Sequence, residues 1–175
     1  DTALLKRVFL GWLRGEPGHC TMAAIPTLEE EDARRPNRER ESLVGERTRI
    51  VNRIKANLAR LGIRGFKPTV RGASERLEAL RTPDGAALPP NTQAELRRDM
   101  ARLGFIVGQI KEIEDARRER LELRPDQGPH AMVRLLARVI GIGLETADML
   151  VHEILARNLR DRRAVARYAG LTGAP

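Results

Sequence analysis

Two stretches of this chain repeat apolar residues at intervals of three and four, each over more than twenty positions. Nothing else in the sequence constrains the fold as strongly. "RERESLVGERTRIVNRIKANLARL", residues 38–61, places Leu43, Val44, Ile50, Val51, Ile54, Leu58 and Leu61 on one stripe. Val44, Val51 and Leu58 are seven apart, as are Leu43 and Ile50, and Ile54 and Leu61. The second stretch, residues 92–123, steps through Leu96, Met100, Leu103, Val107 and Ile110 to Leu121, with polar interruptions at Glu114 and Arg117. Such a period belongs to a helix that buries one face against another helix. "TPDGAALPPN", which lies between them, is a loop by composition. The pair therefore predicts a long antiparallel helical hairpin over 34–124, coiled-coil-like in its seam. An ordinary helical bundle satisfies the same spacing.

The flanking segments are also helical in pattern, so the expected fold class is all-α. Residues 2–14 carry a wide apolar face of Leu4, Leu5, Val8, Leu10, Trp12 and Leu13, and "GEPGHC" ends it. Thr27 and Glu30 have capping-box spacing. A short helix is expected near 74–81. After "RPDQGPH" the pattern reads helix (131–140), turn (141–143), helix (144–157) and helix (161–169). Aromatic residues make up only 3% of the chain, fewer than a β-sandwich or barrel normally needs.

Charge narrows the function classes. The formal net charge is +8 and the pI about 10.8, which calls for a polyanionic partner, most simply nucleic acid. Only Lys6, Lys55, Lys67 and Lys111 are lysines among 32 basic residues, so part of the arginine excess is compositional bias. Residues 34–61 hold nine basic and three acidic side chains, whereas 91–124 hold eight and seven. Arg47, Arg49, Arg53 and Lys55 are accordingly expected to face DNA or RNA. No apolar run approaches a membrane span and no signal peptide is evident, so a cytoplasmic protein without a membrane partner is expected. Cys20 is alone, and His19, His130 and His152 form no ligand pattern.

Between two helical patterns stands "RVIGIGLETADMLVHEI", residues 138–154, with Gly141 and Gly143 one residue apart. A Gly–apolar–Gly turn joins the two helices of a helix–hairpin–helix element. Glycine permits the tight turn, and the first-turn amides of the next helix favour an anion. Ile142 would plug the gap between the helices, with Ala147 and Leu150 packing on the first of them. The functional reading is a sequence-independent phosphate contact at Gly141, Ile142 and Gly143. The alternative is a turn that binds nothing, and Glu145 beside it weighs on that side. Arg160, Arg162, Arg163 and Arg167 form a second basic cluster, expected to meet nucleic-acid phosphates, with a solvated face as the bland account. Tyr168 is expected to pack the last helix against the glycine-turn pair, with Gly170 capping behind it.

Other chemistry finds little support. Glu29, Glu30, Glu31 and Asp32 are consecutive, cannot all face one metal, and suit a helix start. His152 lacks a second histidine four residues away, and no phosphate-binding P-loop is present.

"ARVIGIGLETADMLVHEI" followed by "RDRRAVARYAGLTGAP" resembles the C-terminal domain of the DEDD-type insertion-sequence transposases of the IS-one-ten group, the bridge-RNA-guided recombinases. "RTRIVNRIKANLARLGI" (47–63) is similar to that family's first long helix. The resemblance implies a RuvC-like N-terminal domain with four acidic residues that hold Mg2+, a helical region, and a C-terminal domain carrying a serine nucleophile. It implies DNA and a structured guide RNA as partners, in an assembly of several copies. On this reading residues 1–33 are the tail of the RuvC-like domain, 34–124 the hairpin and 125–175 the helix–hairpin–helix domain. Asp1 would be the last acidic residue of the metal-binding cluster, with the other three upstream. Ser42 and Ser74, the serines present, stand outside the nucleophile's context. The chain, which begins at Asp1 inside a helical pattern, reads as a piece of a transposase, inactive alone. A non-catalytic nucleic-acid-binding or oligomerisation module, and a purely structural coiled coil, are the alternatives.

Overall fold

The computed structural model describes residues 2–16, 25–126, 128–157, 159 and 161–171. Its elements are α1 (Thr2–Leu13), α2 (Leu28–Arg60), α3 (Ala73–Glu78), α4 (Pro90–Leu123), α5 (Pro129–Leu136), α6 (Leu144–Met149) running on into a π-helical segment (Leu150–Leu155), and α7 (Arg162–Tyr168). The fold is all-α, as the apolar periods predict. Extended pairing among the described residues is confined to one bridge, between Arg81 and Ala87. The chain divides into two compact units, Asp1–Glu31 and Asp32–Pro175.

In the first unit, α1 matches the expected helix, and its leucines Leu4, Leu5 and Leu13 are exposed. The Phe9 and Trp12 rings stack with centroids 6.0 Å apart. The Thr27–Glu30 capping box forms in both directions: Thr27 N–H donates to Glu30 Oε2 at 2.9 Å, and Glu30 N–H donates to Thr27 Oγ1 at 3.1 Å. The helix it opens starts ten residues before the expected 38 and runs through Pro36. Proline inside a helix normally costs about 3 kcal/mol. Here Arg34, Asn37, Arg38 and Arg40, on either side of it, are all held by tertiary contacts described below.

The second unit is built on the hairpin. Four side-chain pairs fix the direction of its arms: Asn57 with Glu95, Arg53 with Asp99, Arg40 with Glu114, and Asn37 with Arg117. As the position on α2 falls, the position on α4 rises, so the helices are antiparallel. At ~1.5 Å per residue the zipped length is roughly 30 Å. Leu43, Ile50, Ile54 and Leu58 of α2 meet Leu96, Met100, Leu103, Ile106 and Ile110 of α4 in one core. Val107, expected on the seam, is exposed; Ile106 takes its place by stepping three rather than four from Leu103. Leu77 and Ala73 of α3, with Leu88, cover one end of this core. Each fully buried Ile or Leu contributes about 1.5–3 kcal/mol. Pro90 at the first position of α4 suits a helix start, since its missing N–H would be unpaired there anyway. A second, smaller core joins Leu121, at the end of α4, to Val133, Ala147 and Val151.

Candidate nucleic-acid interface

The glycine turn is positioned by the smaller core. α5 ends at Leu136, four residues before the expected 140. Beyond it the chain tightens into short-range bonds, with Val139 N–H donating to Leu136 O and Ile142 N–H to Val139 O, each at 3.0 Å. Gly141 sits at φ +90°, which an L side chain adopts only with strain. Ile142 is half-buried against the core, as its place between the glycines requires. Ala147 packs fully, but Leu150 does not join the cluster, and Val151 takes its role. Val151 stands four residues after Ala147, one turn on along the same face, so it packs where Leu150 was expected.

Gly143 caps α6 in extended conformation, with φ −75° and ψ 166°. A Cβ at either glycine would meet open space. No side chain caps the first turn of α6. The acid beside the turn faces inward: Glu145 Oε2 is drawn to Arg117, and Arg40 Nε lies 3.1 Å from the same oxygen. Its charge is thus neutralised within the protein.

Arg117 is the centre of this arrangement and is only 1% exposed. Its Nη2 donates to Asn37 Oδ1 at 2.7 Å, and its Nε lies 3.1 Å from Asp148 Oδ2. Asn37 Nδ2 also donates to Asp148 Oδ2, at 2.9 Å. Arg40 binds Glu114 at 2.6 Å, Arg34 Nε donates to the His152 carbonyl at 3.1 Å, and Arg38 Nε donates to Glu153 Oε1 at 3.1 Å. Three elements, α2, α4 and the α6–π helix, are locked by one polar network. Burial pushes the Asp148 carboxyl up, but the His152 hydrogen bond and the Arg117 charge outweigh it and hold the group below its ordinary value. His152 is raised by its hydrogen bond to Asp148, against the effect of burial. Burial lowers the Arg117 guanidinium from its ordinary value, the Asp148 charge opposing the shift. Beside the network, a pocket of about 630 Å³ opens between Arg38, Arg40 and Val44 of α2 and Thr146 and Met149 of α6.

The basic residues singled out from the sequence divide into engaged and open ones. Arg53 is engaged: its Nε and Nη2 grip the buried Asp99 carboxylate at 2.8 and 2.7 Å. Arg49 and Lys55 are exposed and Arg47 is half-buried, and none of the three makes an ion pair among the described residues. On α7, Asp161 caps the helix by accepting from Ala164 N–H at 2.8 Å, and Arg162, Arg163 and Arg167 are exposed. Tyr168 meets the glycine-turn pair at Arg157, just past the end of its second helix. It is 45% exposed, with the Arg157 guanidinium 4.6 Å above its ring. A cation on the ring face meets the ring's negative quadrupole while the hydroxyl stays wet. Gly170 does cap α7, its N–H reaching Arg167 O at 3.1 Å. Asp1 and Arg160 lie outside the described residues, as do His19 and Cys20.

Sequence reasoning missed the network. A signal was present: Arg117 lies fourteen residues after Leu103 and seven after Ile110, on the buried stripe of α4. A charge on a seam implies partners there, but those partners lie more than 25 residues further on or some 80 residues back.

The chain is similar to a curated protein of Sinorhizobium fredii (strain NBRC 101917 / NGR234) named "Putative transposase y4rJ": the two are 44% identical over 182 aligned positions, which take in all of this chain and 46% of the relative. The chain thus spans about half the length of that relative. No family model matches the chain. No solved structure matches it.

Proposed function

We propose that this chain is the helical, nucleic-acid-holding part of a DNA transposase, of the DEDD-type insertion-sequence group that works with a structured guide RNA. The observation that carries the reading is the 44% identity with a protein named as a transposase, maintained through the whole of this chain. The hairpin is the frame, and the α5–α6 turn is the contact. Exposed first-turn amides after Gly143 receive a phosphate without reading sequence, since donors and helix dipole both favour an anion there. Arg162, Arg163 and Arg167 on α7, together with Arg47, Arg49 and Lys55 on α2, extend the positive surface. Strand transfer belongs to the whole transposase, in an assembly of several copies. The Mg2+ of that group is held by an acidic cluster of which this chain offers Asp1. Among the described residues no three His, Cys, Asp or Glu side chains are placed to hold a metal ion.

The test is fluorescence anisotropy of a labelled DNA duplex against the purified chain across a salt series. Affinity should fall linearly in log–log form, at a slope of ~0.9 per phosphate neutralised. Gly143→Val, which the backbone accommodates, should weaken binding with circular dichroism unchanged. Absence of binding at low salt, or affinity indifferent to salt, would overturn the proposal.

A further inference from the structure

The excess charge is more local than the net value suggests. From Arg47 to Ser74 there is no acidic residue, and eight basic ones occur: Arg47, Arg49, Arg53, Lys55, Arg60, Arg64, Lys67 and Arg71. The other 24 basic residues are matched by all 24 acidic ones, so the formal charge of +8 is the charge of this one segment. A solvated surface ordinarily intersperses both signs.

In the middle of that segment the backbone builds a groove. α2 ends in a paired cap, with Ile63 N–H donating to Leu58 O and Gly62 N–H to Ala59 O, each at 3.0 Å. Gly62 stands at φ +74°, and a Cβ there would lie 2.8 Å from Pro83 Cγ, so both conformation and space demand glycine. The cap turns Ile63 back beside Leu58, and the chain then returns through Arg64, Phe66 and Lys67. The result is a groove of about 330 Å³, with an apolar floor of Leu58, Ile63 and Phe66. Lys55, Arg64 and Lys67 stand at its edge; all three are exposed, and none makes an ion pair among the described residues. The volume sits at the lower end of the ~300–1,000 Å³ common for ligand pockets.

An apolar floor with an aromatic ring, inside a rim of unpaired cations, suits a ligand with a flat apolar face and flanking negative charges. A duplex offers the charges but keeps its base faces stacked. We propose that this groove takes an unpaired base of single-stranded DNA, stacked against Phe66, while phosphates on either side meet Lys55, Arg64 and Lys67. The proposal rests on the nucleic-acid reading above and adds to it a site for strands laid bare during exchange. The floor carries no polar side chain to recognise a ribose 2′-hydroxyl, so the sugar is not read.

The experiment compares three labelled probes on the full chain: oligothymidylate of roughly 12 nucleotides, within the span such sites cover, oligouridylate of equal length, and a DNA duplex. Phe66→Leu keeps an apolar side chain against the core and removes the ring. It should weaken oligothymidylate binding roughly tenfold and leave duplex binding unchanged. Lys55→Gln, Arg64→Gln and Lys67→Gln combined are all at exposed positions and spare the core. Together they should lower the salt slope for oligothymidylate by about 2. Unchanged oligothymidylate binding in both variants, with the unmutated chain binding duplex, overturns the groove and leaves the transposase reading standing. Loss of every probe's binding in the unmutated chain overturns both. Binding of oligouridylate but not oligothymidylate overturns the assignment to DNA.

Discussion

Replacing Arg117 by Met tests the joint that sets the glycine turn against the hairpin. Methionine fills a similar volume, so the change removes charge and donors more than packing. Asp148, only 7% exposed, and Glu145 would then be left as neighbouring carboxylates, and the Asn37 Oδ1 would lose its donor. Removing one partner of a buried ion pair costs about 3–5 kcal/mol. Asp148 would retain Asn37 Nδ2 at 2.9 Å and His152, and Glu145 would retain Arg40, so the lower end, ~3 kcal/mol, applies. Against a total of about 5–15 kcal/mol for a domain of ordinary stability, that is a large loss. Urea unfolding followed by circular dichroism would read it as a fall in midpoint at constant slope. Arg117→Met with Asp148→Leu should recover part of the loss, because the buried anion leaves with its partner. A single-variant loss below ~1 kcal/mol, or a double variant as costly as the two singles added, would show that the network does not hold these elements together. Arg117→Lys should rescue poorly, since a point charge cannot reach Asn37, Asp148 and Glu145 in one plane.

Three further outcomes are expected. Gly141→Ala should cost roughly 1–2 kcal/mol because of its left-handed backbone, whereas Gly143→Ala should be near neutral in stability, so thermal melts of the pair separate conformational from binding effects. Arg53→Gln should lower the melting temperature by leaving buried Asp99 with Arg102 alone, whereas Arg49→Gln should leave stability unchanged and weaken DNA binding in an anisotropy titration. The His152–Asp148 pair should give a stability plateau at mildly acidic pH. His152 is raised in the folded state, so its contribution is complete below its unfolded value of about 6.5 and is lost as pH rises through the higher folded value. Asp148 is lowered, so its contribution is complete above about 4 and is lost as pH falls through the lower folded value. Melting temperature across that range should show both edges, and His152→Gln should erase the upper one.

Much of the site was legible before the structure, because its parts are local. The φ of Gly141, the half-burial of Ile142 and the Thr27–Glu30 cap each depend on residues within a few positions of one another. Arg53 shows the limit. Its place among the basic residues of α2 suggested a ligand contact, and its actual partner, Asp99, stands 46 residues away on the other arm. Glu145 shows the converse: it looked like an obstacle to an anion, and Arg40 and Arg117 draw its charge inside.

What the sequence by itself determined was the set of helices and the buried stripe of each long one. A 3.6-residue period with capping signals is a property of neighbouring residues, and burial of that stripe stabilises whichever compatible partner meets it. What only the tertiary structure decided was the continuity of α2 through Pro36, the π segment and the polar network. Each of these departs from local preference. Proline costs helix energy, a π turn misaligns hydrogen bonds, and a buried arginine loses its water. They persist because contacts between α2, α4 and α6, distant in sequence, offset those costs at once, and no window of neighbouring residues contains both the cost and its compensation.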